Sequence, residues 1–328
     1  MRYLVTGGAG FVGSHVALAL IEHGHHVTIL DNLSTGHRAA IPTGAQFHEV
    51  DLLDTNRLNT ILANGPWDGV LHFAALSLVG ASMTTPYHYL RQNMLTSLNL
   101  IEGCVRYNVP RFLFSSTAAL FNNQGNTPLS EDSPINPGSP YGESKFLIER
   151  ALNWAERIHG LRYGCLRYFN AAGADAKGRL GEDHQPETHL IPLALDSALG
   201  RRPPLKLFGN DYPTPDGTCI RDYVHVSDLA EAHILTLNRL DTGSVTYNLG
   251  TGQGFSNLNI LKAIETVTGR ELPWDWAPRR EGDPAILVTD PTRIRTELGW
   301  QPRYTKIEDI IETAFRWRLA HPNGYRGL

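Results

Sequence analysis

Gly7-Gly8-Ala9-Gly10-Phe11-Val12-Gly13 is the stretch that decides the fold. It follows directly on a short apolar run, 3–6, and opens an amphipathic stretch, 14–22. Glycines at such a junction permit a tight turn and let backbone N–H groups approach a pyrophosphate. The N-terminus of the following helix adds partial positive charge. Gly7, Gly10, Phe11, Val12 and Gly13 are therefore candidate contacts to a dinucleotide. Asp31 ends the second apolar run, 26–30. A carboxylate there accepts from both adenosine ribose hydroxyls and repels a 2′-phosphate, which favours NAD over NADP. Arg38 is near enough in sequence to keep the phosphorylated cofactor in view.

Working outward, short runs at 3–6, 26–30, 46–50, 69–73 and 111–115 alternate with helical patterns at 14–22, 57–63 and 87–107. Alternation of this kind predicts an α/β fold, a doubly wound parallel sheet of the Rossmann type, with ligand at the carboxyl ends of its strands. Asp51 and Leu52 follow the third run, and Phe73, Ala74 and Ala75 the fourth, where the adenosine edge would pass. Asp51 can serve as an adenine contact or as a helix N-cap. His72 reads as a packed strand residue. A further helix is expected over 141–160 and a strand over 164–169. After Asn170 the texture turns to Gly, Pro and charge at 170–186 and 203–217, as in loops of a smaller unit. The expected division is a cofactor-binding domain over 1–170 and a smaller mixed α/β substrate domain over 171–328. Residues 221–249 are expected to return to the first domain, with 223–226 and 245–249 rejoining the main sheet around a helix at 227–239.

Tyr141 and Lys145, in Tyr-Gly-Glu-Ser-Lys, stand one helical turn apart and share a face. A free phenol, with its pKa near ~10, is a poor base at neutral pH. A neighbouring ammonium and a positive nicotinamide would lower it. Ser115-Ser116-Thr117 follows the fifth run and places hydroxyls on the cofactor face, although three hydroxyls can equally cap a loop.

The chain has 328 residues, 41% hydrophobic and 19% charged, with a formal net charge of -4. It lacks a basic run, so neither nucleic acid nor an anionic membrane surface is an expected partner. Cys104, Cys165 and Cys219 are far apart and read as reduced structural thiols. No apolar run reaches the ~18 residues of a membrane span. A strand pattern starts at residue 2 without a signal peptide before it, and the expected location is the cytoplasm. No metal site is expected. His23, His25 and His26 read as a solvated turn.

Taken together, these motifs resemble the extended short-chain dehydrogenase/reductases. Longer strings narrow the resemblance to the UDP-glucose 4-epimerases. They are Asp31-Asn32-Leu33-Ser34-Thr35-Gly36, His72-Phe73-Ala74-Ala75-Leu76, Arg167-Tyr168-Phe169-Asn170, Phe208-Gly209-Asn210-Asp211-Tyr212, Gly217-Thr218 with Arg221-Asp222-Tyr223, and Arg280-Glu281-Gly282-Asp283. The resemblance runs from Arg2 to about Trp300. It implies NAD-mediated hydride removal at C4 of a UDP-sugar, rotation of a 4-keto sugar and hydride return. Tyr141 would be the base, with Lys145 on the nicotinamide ribose and Thr117 as the catalytic hydroxyl. Asn32, Asn93, Ser115 and Tyr168 would join the cofactor site. Asn170, His189, Leu190 and Tyr223 would line the substrate site. Phe208 would pack on uracil, a core aromatic being the alternative. Arg221 and Arg280 would neutralise the diphosphate, Asp283 would take ribose hydroxyls, and Leu287 would limit space at the sugar C2 substituent.

The sequence departs from the family pattern in four places, one of them a loop to Tyr141 that is one residue short. Leu120-Phe121-Asn122 replaces Val-Tyr-Gly, Ser77 replaces a lysine, and His189 replaces an asparagine. A nucleotide-sugar 4,6-dehydratase would carry Asp-Glu after Thr117. Here Ala118-Ala119 follow, and methyl groups cannot move protons. Epimerisation of another UDP-sugar (an N-acetylhexosamine, pentose or uronate) and a binding-only role are the other readings. The helices at 87–107 and 141–160 carry apolar residues on more than one face: Leu90, Met94, Leu98 and Ile101, and Phe146, Leu147, Leu152 and Trp154. The surplus predicts a homodimer built by helix packing, as in relatives.

Overall fold

The structure, a computed structural model, describes residues 1–121, 128–280 and 283–326. Asn122, Glu281 and Gly282, named above, lie outside them. The first half of the chain runs β1 (Arg2–Thr6), α1 (Phe11–Glu22), β2 (His26–Asp31), β3 (Gln46–Glu49), α2 (Thr55–Ala63), β4 (Gly69–His72), α3 (Val79–Thr84), α4 (Pro86–Arg106), β5 (Arg111–Thr117), α5 (Pro140–His159) and β6 (Arg162–Tyr168). The second half runs β7 (Asn170–Ala172), α6 (Leu190–Ala198), β8 (Leu205–Phe208), β9 (Ile220–His225), α7 (Val226–Arg239), β10 (Val245–Leu249), β11 (Gly254–Ser256), α8 (Asn257–Thr268), β12 (Trp274–Ala277), β13 (Ile286–Leu287), α9 (Thr292–Leu298) and α10 (Ile307–Ala320).

Seven strands form one sheet in the order β10-β6-β5-β4-β1-β2-β3, every neighbouring pair parallel. This is the expected doubly wound Rossmann architecture. Side chains alternate across the sheet, as the two-residue period of a strand requires. Val5, Leu71, Leu113 and Leu166 face one core with α1 and α7. Leu4, Val70, Phe112, Phe114 and Cys165 face another with α2, α4 and α5. Each such side chain, fully buried, contributes roughly 1.5–3 kcal/mol. In register, Thr6 pairs with His72, and Thr117 and Leu249 both pair with Tyr168. The carboxyl ends therefore align along one edge, where the glycine turn, Phe73 and Asn170 follow.

The expected return of 223–226 to the main sheet is not observed. β9 is instead central to a second sheet, paired with β7 and β13 in parallel and with β11 antiparallel. Its two faces serve different cores. Val224 packs into the α1/α7 core, and Tyr223 into a separate core with α6, α8 and α10. Among the described residues α7, which packs on α1, and β10 rejoin the larger unit, and α9 packs onto both of them. A third, two-stranded sheet of β8 and β12 completes the smaller unit.

The helix termini follow the sequence. Ser139 Oγ accepts from Gly142 N at 3.1 Å and Pro140 opens α5, while Gly160 closes it at φ 72°. The N-cap of α2 is Asp54, not Asp51. Asp51 instead accepts from Leu53 N at 2.8 Å in a local turn.

Candidate active site

The glycine turn forms as its residues dictate. α1 starts from Gly10, which offers no side-chain cap, so the first helical N–H groups lack an intrahelical partner. A Cβ on Gly13 would lie 2.2 Å from the Gly7 carbonyl oxygen, so only glycine lets the helix begin this close to the strand. Asp31 is buried, and its carboxylate accepts from Ala9 N at 3.0 Å and Leu33 N at 2.8 Å. Burial pushes its pKa up against those two N–H groups. Asn32 donates to Asp51 at 3.0 Å, which joins the ends of β2 and β3. Arg38 is paired with Glu49 at 2.5 Å and lies over the Phe47 ring at 4.9 Å, an exposed ion pair at the surface. A glycine cradle, uncapped helical N–H groups and an acidic second strand fit NAD.

Other expected cofactor contacts sit on this edge with less to offer. The Leu52 side chain turns into the core and its carbonyl accepts from Asn99. Phe73 tilts against His233, with Ala74 and Ala75 partly exposed beyond it. The Asn93 amide is taken up by the Leu76 backbone and by Ser144, so it braces the 73–76 loop against α5. His72 bridges Thr6 and Ser97, buried, with its pKa lowered to about 3 by burial and by Lys145. It is the packed strand residue that the sequence predicts.

Tyr141, Lys145, Ser115 and Thr117 converge where α5 crosses the end of β5. Lys145 is 2% exposed; its Nζ donates to the Ser115 carbonyl at 2.9 Å and lies 5.9 Å from the Tyr141 ring centroid. Burial lowers its pKa to about 7. The phenol of Tyr141 is pushed up to about 12 by burial, against a hydrogen bond from Thr117 that lowers it. Nζ is anchored to a carbonyl rather than to the phenol, and the expected lowering of the phenol draws on the nicotinamide charge as well as on Lys145. Thr117 caps the turn 118–120 by accepting from Ala119 N at 3.1 Å, which is the capping reading of the hydroxyl triplet, and it also hydrogen-bonds Tyr141. Tyr168 bonds His233 at 2.5 Å and also reaches Ser115, so it supports the group from below.

The remaining expected substrate residues belong to the smaller unit. Asn170 begins β7 beside Tyr223 of β9. Arg221 and Asp283 pair with each other at 2.7 Å, where the sequence suggests separate tasks. Arg280 lies over the Phe208 ring at 4.1 Å, in a cation–π contact that joins two expected substrate contacts. His189 is the N-cap of α6, Leu190 its first residue, and the His189 ring is bonded to Glu182 at 2.6 Å. Leu287 packs near Phe121, Leu129 and Phe169.

Sequence reading missed the buried Glu149–Arg167 pair. Arg167 donates to both Glu149 oxygens at 3.0 and 2.7 Å, and Ser116 Oγ donates to Glu149 at 2.6 Å. The pair fastens α5 to β5 and β6 beneath the Tyr141 group. Glu149 stands one turn after Lys145, and a carboxylate on the buried face of a helix was the available signal. Also missed was Arg279, which bonds Asp211 at 2.6 Å and covers Tyr212.

Comparison with known proteins agrees with this geometry. The model of the NAD dependent epimerase/dehydratase family matches residues 3–250. A UDP-glucose 4-epimerase of Halalkalibacterium halodurans is 46% identical over 327 residues, covering 99% of this chain and 98% of that one. A crystal structure of UDP-glucose 4-epimerase superposes with a TM-score of 0.96 at 47% identity, covering 99% of this chain and 100% of the other. The Bifidobacterium longum enzyme, solved in complex with NAD+ and UDP, superposes with a TM-score of 0.95 at 34% identity, covering 99% and 100%. The chain belongs to the NAD dependent epimerase/dehydratase family.

Proposed function

We propose that this chain is an NAD-dependent isomerase that interconverts UDP-glucose and UDP-galactose. The observation that carries the proposal is the meeting of Tyr141, Thr117 and Lys145 at the carboxyl edge of the main sheet, the edge that also carries the glycine turn. Full-length similarity to UDP-glucose 4-epimerases supports the same reading. NAD, when bound, supplies the hydride acceptor at the sugar C4 and a positive ring charge.

The chain's own residues do the rest. Gly7, Gly10 and the N–H groups of Phe11, Val12 and Gly13 hold the pyrophosphate, and Asp31 orients the adenosine ribose. Tyr141 takes the 4-hydroxyl proton. Thr117 accepts from Ala119 N and keeps its own proton to donate toward Tyr141 or the sugar oxygen. Lys145, held by Ser115, holds the nicotinamide ribose. Arg221 and Arg280 face the diphosphate with planar donor forks. Phe208 packs on uracil once Arg280 turns from the ring to the phosphates. Asp283, released from Arg221, takes the uridine ribose hydroxyls, and Leu287 bounds the C2 side of the sugar.

The cofactor-binding unit spans 1–170 together with 226–249, and the remainder of 171–328 binds the nucleotide sugar. Among the described residues no helix is long and apolar enough to cross a membrane. The proposed location is the cytoplasm, and the proposed assembly is a homodimer through α4 and α5. Incubation with UDP-galactose, read by coupled oxidation of UDP-glucose, tests the function, and UDP-N-acetylgalactosamine in a parallel arm maps the C2 limit. Retained NAD without conversion of UDP-galactose would refute the proposal, and a 4-keto-6-deoxy product would replace it with a dehydratase.

A further inference from the structure

Glu182, His184, Glu187 and His189 lie on one short segment before α6. Each offers one ligand atom, and the four atoms lie within 4.8 Å of one another. We propose that they form a closed structural site for one divalent first-row transition ion of the zinc class. The chemistry of the set points there. Two imidazole nitrogens and two carboxylates suit zinc and its neighbours, whereas magnesium and calcium prefer all-oxygen shells. With both histidines neutral the four residues carry two negative charges, which a divalent ion cancels.

The spacing supports the same conclusion. Tetrahedral zinc with bonds of ~2.0–2.1 Å separates its ligand atoms by roughly 3.3 Å. His184 Nδ1 lies 3.3 Å from Glu182 Oε1 and 3.6 Å from Glu187 Oε2. His184 Nδ1 is buried and makes no well-directed hydrogen bond, despite two carboxylates this near. These separations match co-ligands of one shared ion. Only His189 Nδ1 and Glu182 Oε1, at 2.6 Å, are at hydrogen-bond distance. They would open by about 0.7 Å to admit the ion.

The carboxylates are held in turn. Glu187 Oε1 accepts from Thr188 N at 2.8 Å and His189 N at 3.0 Å. Arg318 is bound to Asp196 at 2.7 Å and to the Glu182 carbonyl at 3.3 Å, and approaches Glu187 only to 3.6 Å. Both His184 and Glu187 also line an open groove, which gives an ion a route in.

An ion here would tie three parts of the protein. His184 meets the Phe11 ring at the start of α1, His189 caps α6, and the Asp183 carbonyl between them is bonded by His37 at 2.7 Å. The UDP-sugar reading also expects His189 near the substrate, so the test reads metal content and not activity. The site is tested by metal content after equilibrating the full chain with zinc chloride and gel filtration into metal-free buffer. About one zinc per chain is expected, with a higher melting temperature that falls on adding EDTA. The double variant His184→Ala/His189→Ala should keep native circular dichroism and bind less than about a tenth of an equivalent. Glu182→Gln serves as a second variant should the first fail to fold. A wild-type chain that retains under about a tenth of an equivalent, or folded variants that retain as much zinc as wild type, would overturn the site.

Discussion

A phenol buried beside Thr117 is held as phenol, up to about 12, until positive charge is brought to it. The Lys145 side chain cannot meet that need alone, because its own pKa is driven down to about 7. Base strength at Tyr141 is therefore a property of the loaded site, which suits an enzyme that must not shed its cofactor in mid-reaction. Tyr141→Phe should lower turnover of UDP-galactose by ~10²-fold or more while leaving bound NAD in place. Near-normal turnover would remove Tyr141 from the mechanism. Lys145 makes a second prediction, on stability. A folded-state pKa of about 7, below the 10.5 of an ordinary lysine, means that the neutral amine is the form the fold favours. Stability from this group is present above about pH 10.5 and is lost as pH falls toward 7, at roughly 1.4 kcal/mol for each pH unit crossed, before relaxation. Lys145→Met should raise the melting temperature most at and below pH 7, with a gain that shrinks toward pH 10.5. It should also abolish activity. Loss of the donor to the Ser115 carbonyl trims the gain by about 1 kcal/mol. A difference from wild type that does not change with pH would show that Lys145 carries no such strain.

At the scale of the element, α5 is the part that converts sequence spacing into a working group. Its start was legible in Ser139 and Pro140, its end in Gly160, and the shared face of Tyr141 and Lys145 follows from the helical period. Its placement was not legible. That depends on Gly142, where a Cβ would sit 2.3 Å from the Ala119 carbonyl oxygen, and on the Glu149–Arg167 pair. Glu149→Gln leaves the Arg167 guanidinium buried without its charge partner and should destabilise the fold by ~3–5 kcal/mol, read by urea denaturation. Replacing both partners together, Glu149→Met with Arg167→Met, should recover most of that loss. Recovery by the double variant would assign the cost to an orphaned charge. If the double variant is as unstable as the single one, lost packing of α5 is the cause instead.

At the scale of the molecule, the alternation of runs and helices gave the main sheet, and short-range motifs gave the glycine turn and the Tyr141 group. What stayed hidden depends on partners far apart in sequence. The apolar run at 223–226 reads equally well for either sheet, and only pairing with Asn170–Ala172 and Ile286–Leu287 decides it. The Arg221–Asp283 and Phe208–Arg280 contacts likewise join residues that no local pattern links. The proposed dimer draws on both levels. Of the residues that suggested it, Ile101 and Leu152 are buried within the chain, whereas Leu98 and Trp154 remain exposed. Tyr87 and Leu95 on α4, and Ile158 on α5, widen that exposed face. α4 and α5 pack on each other, so a second copy related by a two-fold axis would close a four-helix contact over it. A standard interface removes ~800 Å² per partner, and a charge placed at its centre loses hydration it cannot replace. Leu98→Glu with Trp154→Glu should therefore weaken association by at least ~3 kcal/mol, more than 10²-fold in Kd. Sedimentation velocity should find the wild-type chain at twice the monomer mass and the double variant at the monomer mass, with native circular dichroism. A double variant that still sediments as a dimer would move the interface elsewhere on the surface, and a wild-type monomer would leave these side chains as a face the protein keeps exposed.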